Sequence, residues 1–146
     1  MAEYQLLNTT DFVTTLEKLA IIDFLMDNLD KYDDSRENVS NAIEYALSKF
    51  PHQGGFVLMA RERGKIIGVS VINRTNFQGY FAENILVFIV VSKEMRRQGI
   101  AANLLSQTKV YSKGSILVRM NQDEQNFPLF ERAGFQMSKT EYLFKR

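Results

Sequence analysis

The stretch from Val91 to Leu105 holds the residues of this 146-residue chain whose types and spacing best suit chemistry. An apolar strand ends there, a basic loop with a single glycine follows, and a helix opens on small residues. The first amides of such a helix lack an intrahelical acceptor and sit at the positive end of its dipole, which suits a phosphate. Gly99 lets the backbone approach an anion closely, Ala101 and Ala102 leave the next turn uncrowded, and Arg96 and Arg97 add charge. A solvated basic loop would have the same composition. A Walker loop or a dinucleotide fingerprint has less support, since neither Gly-Lys-Ser/Thr nor three spaced glycines is present.

Composition narrows what else can react. The chain has no cysteine and one histidine, His52. Disulfide scaffolds, thiolate nucleophiles, cysteine-based zinc sites, Ser-His dyads and multi-histidine metal centres are therefore excluded or nearly so, and no metal is expected. Carboxylates, hydroxyls, amines and backbone dipoles remain. His52 follows Phe50 and Pro51 in a loop and reads as solvated. The longest apolar run, Ile85 to Val91, falls far short of the ~20 residues that span a bilayer, and no charged-then-apolar leader opens the chain. One soluble, cytoplasmic domain over residues 1–146, with no membrane partner, is the expectation. Formal charge is +1, but through Phe50 acids outnumber bases ten to four, and beyond it bases dominate. That asymmetry fits an acidic solvated helix pair, or an acidic face for a cationic ligand and a basic face for an anion. No Lys/Arg run is interleaved with aromatics, so no nucleic-acid partner is expected.

These residues must be positioned by an α/β arrangement. A short strand is predicted over Tyr4 to Leu7, then a helix from about Asp11 to Lys31, N-capped by Thr10, with Phe12, Leu16, Leu19, Phe24 and Leu25 on one side. Val39, Ala42, Ile43, Ala46, Leu47 and Phe50 fall at helical spacing after Asp34, which with Glu37 resembles a capping box. Strand periodicity follows: Phe56 to Arg61, a turn at Arg63 and Gly64, then Lys65 to Ile72. Asn73 to Ala82 reads as an exposed loop, in which Phe77, Gln78 and Tyr80 are placed to line a pocket. Asn84 to Val91, apolar on both faces, is predicted to be a doubly covered strand. A helix from about Arg97 to Ser112, a strand from Ser115 to Met120, a helix from about Glu124 to Ala133 and one or two strands from Phe135 to Phe144 complete a mixed sheet covered on both faces.

Arg96-x-x-Gly99-x-Ala101 after an apolar strand resembles the acetyl-CoA signature, Arg/Gln-x-x-Gly-x-Gly/Ala, of the GNAT N-acetyltransferase superfamily. The segment Leu129 to Phe135 is similar to that family's Tyr-Glu-Lys-Leu-Gly-Phe segment, and the predicted element order is the one its fold uses. The resemblance implies a single GNAT-like domain whose mixed, mostly antiparallel sheet has helices on both faces. It implies acetyl-CoA as acyl donor, its pantetheine arm bonded to backbone groups of Ile89, Val90 and Val91, and its pyrophosphate on the amides of Arg97, Gln98, Gly99, Ile100 and Ala101 beside Arg96.

The implied reaction is direct transfer of an acetyl group to a primary amine, small-molecule or peptide, in a ternary complex. Without cysteine, no covalent intermediate is expected. Glu83, thirteen residues before Arg96, stands where some histone-modifying relatives place a catalytic glutamate, and a carboxylate beside an apolar strand is a reasonable proton acceptor. A glutamate that simply ends the loop is the other reading. The family's tyrosine acid is replaced by Phe130, which leaves Tyr80, Tyr111, Tyr142 or water to protonate the thiolate. Asp123 stands where relatives often carry asparagine. A non-catalytic acyl-CoA sensor and an interaction module are the alternatives, and either a monomer or a homodimer is compatible.

Overall fold

The computed structural model describes residues 2–29, 34–120 and 127–146. Five strands form one sheet in chain order: β1 Glu3–Asn8, β2 Gly55–Glu62, β3 Lys65–Arg74, β4 Asn84–Val91 and β5 Ile116–Val118. Neighbours are antiparallel except β4 and β5, which run parallel. Helices α1 Thr15–Asn28 and α2 Arg36–Leu47 cover one face; α3 Ile100–Tyr111 and α4 Phe127–Arg132 cover the other. Alternation along β2 shows how the sheet feeds two cores. Val57 and Met59 pack under α1 and α2, whereas Phe56 and Leu58 pack under α3 and α4.

Arg63 (φ 53°) and Gly64 (φ 77°) make the two-residue turn whose left-handed residues match the twist of paired strands, so the β2–β3 hairpin follows from local sequence. In α2, Ser35 rather than Asp34 is the cap, accepting from the Asn38 amide at 3.1 Å. The α3 side has a buried polar tie: the Ser70 and Thr108 hydroxyls lie 2.7 Å apart, and Thr108 also donates to the Leu104 carbonyl. Tyr4 of β1 packs beside the same core, where burial raises its hydroxyl pKa above the ordinary value.

Three expectations need correction. Helix α1 begins at Thr15, capped by Thr14 in a capping box with Glu17, because Thr10 and Asp11 are used in a turn around Asn8. Phe12 and Leu16 are consequently 87% and 79% exposed, and the helix buries Ile21, Ile22 and Leu25 instead. The expected end of α1 at Lys31 and the start of α4 at Glu124 lie outside the described residues. The strands expected from Phe135 to Phe144 do not form. Thr140 is the one β-branched residue in that stretch. Most of its side chains are exposed, and its contacts include an exposed pair of Arg119 Nε with Glu141 Oε1 at 3.1 Å and Arg146 over the neighbouring Phe144 ring.

Candidate functional site

The site is built where β4 leaves β5. Their ladder spans only Asn84↔Ile116, Ile85↔Leu117 and Leu86↔Val118, although β4 continues to Val91. In a paired strand only alternate residues turn their backbone groups to a given side. Beyond Leu86, groups of β4 on the β5 side therefore have no strand among the described residues to receive them. The start of the ladder is fixed by side chains: Glu83 Oε1 accepts the Ser115 amide at 2.7 Å, and buried Asn84 donates to the Lys113 carbonyl at 2.6 Å. Where the strands part, β4 carries a bulge, since Ile72 faces Leu86 but Val71 faces Phe88. The extra residue puts Val87 and Phe88 together on the α1/α2 side, whereas Leu86 and Ile89 face α3.

At the end of β4 the chain makes a short 3-10 turn, Lys93–Met95, then passes through left-handed Arg97 (φ 66°) and Gly99 (φ 79°) into α3. Gly99 is the N-cap and has no side chain to bond the helix end; the Asn103 amide to the Gly99 carbonyl, 3.1 Å, is the first bond of the ladder. The amides of Ile100, Ala101 and Ala102 thus have no intrahelical acceptor. Gly68 allows α3 this close to β3, since a Cβ there would sit 3.3 Å from Leu104 and 3.6 Å from Ile100.

The loop is held from behind by Asn28, at the last turn of α1. Its Oδ1 accepts the Lys93 amide at 3.0 Å and its carbonyl accepts Arg96 Nη2 at 2.8 Å, while Arg96 Nε reaches the Val91 carbonyl at 3.2 Å. Arg96 therefore ties the loop to α1 and to the strand end. Asn28 is absent from the sequence reading because it lies 65 residues from Lys93. An Asn28→Ala variant is expected to be less stable by about 1–2 kcal/mol. An unchanged melting temperature would show that the loop holds its shape without Asn28.

Of the other sequence candidates, Arg97, Gln98 and Gly99 are exposed on the loop, and Ile89 and Val90 lie on the part of β4 that pairs with β3 but not with β5. Glu83 is four residues, about 13 Å of strand, before the bulge. Phe130 is 5% exposed and meets Phe135 edge-on at 5.4 Å, where α4 ends with the Gly134 amide donating to the Glu131 carbonyl and the Phe135 amide to the Phe130 carbonyl. Tyr80 and Tyr142 are well exposed, and Tyr111 packs edge-on to Phe56. Asp123 lies outside the described residues. Among the described residues, no three His, Cys, Asp or Glu side chains are grouped to hold a metal. None of the described helices is long and apolar enough to cross a membrane.

A cavity of ≈ 550 Å³ opens on the α2 side of β4, lined by Tyr45, His52, Asn73, Arg74, Thr75, Asn76, Phe77 and Ile85. Ile85 is one strand repeat, about 7 Å, from Val87 of the bulge. Among the described acids of the α1–α2 pair, several are engaged elsewhere: Asp23 pairs with Arg36 at 2.7 Å, Glu44 with Lys18 at 3.1 Å, and Glu17 and Asp11 serve turns.

Comparison with known proteins agrees with the fold. Residues 28–146 match the model of the acetyltransferase (GNAT) domain. A search of curated proteins gives no match. Among solved structures, an aminoglycoside N-acetyltransferase in complex with CoA superimposes with a TM-score of 0.69 at 11% identity, covering 100% of this chain and 96% of that one. A predicted acetyltransferase from Clostridium acetobutylicum with acetyl-CoA gives 0.66 at 16% identity, covering 99% and 96%. Ribosomal-protein-alanine N-acetyltransferase from Brucella melitensis biovar Abortus gives 0.64 at 12% identity, covering 100% and 99%.

Proposed function

Because this chain belongs to the GNAT acetyltransferase family, we propose that residues 1–146 act as one domain that transfers an acetyl group from acetyl-CoA to a primary amine. The observation that carries this reading is the parting of β4 from β5 after Leu86, beside an α3 N-terminus that no side chain caps. Of Ile89, Val90 and Val91, those whose backbone groups turn to the open side of β4 suit the amide-rich pantetheine arm, although the Val91 carbonyl also receives Arg96. The amides from Arg97 to Ala101, with the helix dipole behind them, suit the pyrophosphate. Acetyl-CoA supplies the activated acyl group and a thiolate leaving group.

The protein's part is to hold the acceptor near the bulge and to remove its proton. Glu83, about 13 Å of strand from the bulge, takes that proton through intervening water, and water protonates the thiolate, since Phe130 has no proton to give. Glutamine at position 83 can still accept the Ser115 amide, so Glu83→Gln separates proton transfer from the structural bond. Turnover at neutral pH is expected to fall about 100-fold with acetyl-CoA affinity nearly intact. Equal turnover would remove Glu83 from the mechanism.

Free-thiol release from acetyl-CoA, with and without pooled amines, tests the reading as a whole, because a chain without cysteine adds no thiol of its own. Amine-dependent release supports the transferase. Binding of CoA without release favours the sensor, for which the buried Phe130 is the specific support. Absence of both sinks the CoA assignment.

A further inference from the structure

Resting on that transferase reading, we propose that the acceptor amine also carries a carboxylate, which Arg74 binds in the cavity beside the start of β4. The cavity lining contains, among the described residues, one permanent cation, Arg74, and no acid. Among the described residues no carboxylate pairs with the Arg74 guanidinium. A pocket of this polarity penalises a polyamine and favours an anionic group.

Arg74 is also held in place. Its amide donates to the Gly54 carbonyl at 2.8 Å, and its carbonyl accepts the Tyr45 hydroxyl at 2.7 Å. The guanidinium lies over Gly54, where a Cβ would come within 2.5 Å of Nη2. The missing side chain at position 54 thus makes room for the charge, and a planar guanidinium is well matched to a carboxylate. The rest of the cavity suits a small organic amine. Phe77 forms an aromatic wall, backed by Tyr80 at 5.3 Å in a stacked arrangement, and the loop behind it is closed by Thr75 Oγ1 donating to the Ala82 carbonyl at 2.7 Å. Ile85 leads along the strand toward Val87, so an acceptor anchored at Arg74 points its other end toward the place where β4 and β5 part.

The test compares matched acceptor pairs that differ by the carboxylate: phenylalanine with phenethylamine, lysine with cadaverine, and 4-aminobutyrate with butylamine. In the wild type the carboxylated member of at least one pair is expected to show a kcat/KM at least tenfold higher, through KM. Arg74→Gln erases that advantage by raising KM for the carboxylated member, leaving its kcat and the acetyl-CoA KM unchanged, and Arg74→Lys restores part of it. Arg74 is exposed, so neither variant threatens the fold. Preference for the plain amines, or an advantage that survives Arg74→Gln, overturns the proposal. Silence with every pair also counts against it, and titration of acetyl-CoA into the same sample then shows whether the transferase reading falls with it.

Discussion

Placing glutamate at Ala102 is expected to weaken acetyl-CoA binding by about 100-fold while leaving the ligand-free protein as stable as before, or slightly more so. Ala102 is exposed in the first turn of α3, three positions after the Gly99 cap. A carboxylate there is favourable to the helix by about 0.3–1 kcal/mol, since it faces the positive end of the dipole and can reach back to the cap amide. The same charge opposes a pyrophosphate on the neighbouring amides. Two like charges about 5 Å apart at an effective dielectric near 20 repel by about 3 kcal/mol. Opposite signs on stability and on affinity separate an anion site from ordinary helix packing. Ala102→Gln supplies the control, because it fills the same space without the charge. Thermal melting and calorimetry of the variants decide the matter: full affinity in Ala102→Glu would place the pyrophosphate elsewhere.

Gly55→Ala is expected to destabilise the whole domain by about 3 kcal/mol or more, lowering the melting temperature by about 10 °C. Gly55 opens β2 at φ 149°, and a Cβ there would overlap the Ile72 carbonyl oxygen on β3. Backbone cannot move aside as a side-chain tip can, so the opening pairs of the β2–β3 ladder would have to separate. Gly64 provides the contrast. It too is left-handed, at φ 77°, but a Cβ there meets nothing within 4 Å, and asparagine tolerates that conformation. Gly64→Asn should therefore melt close to the parent. Similar melting of the two variants would show that the strand entry relaxes more easily than its geometry implies.

Much of the fold was legible because the signals were local. Strand β4 falls on the predicted bounds, Asn84–Val91, since an unbroken apolar run flanked by polar residues has few alternatives. The turn at Arg63 and Gly64 and the glycine stop of α4 follow from residues that tolerate positive φ. The α1 start was misplaced because Thr10 and Thr14 both offer a cap, and the choice depends on Asn8 and Asp11 folding the first into a turn. At the site, the basic loop and its glycine were readable, but the Asn28 clamp and the cavity at Arg74 were not. Both arise from residues far apart in the chain, as Tyr45 on Arg74 across 29 positions shows. The resemblance to the GNAT family pointed to Glu83; the bond that Glu83 makes to Ser115 could be seen only once β5 was placed beside β4.

Asn28 also gives the anion loop a dynamic partner. Its own side chain closes back on the Phe24 carbonyl at 2.9 Å, so the last turn of α1 and the amide of Lys93 share one set of bonds. Fraying at that helix end is expected to release the loop, and a ligand that fixes the loop is expected to suppress the fraying. Slower amide exchange in the last turn of α1 on adding acetyl-CoA is the expected result, and unchanged exchange would show that the loop and the helix end move independently.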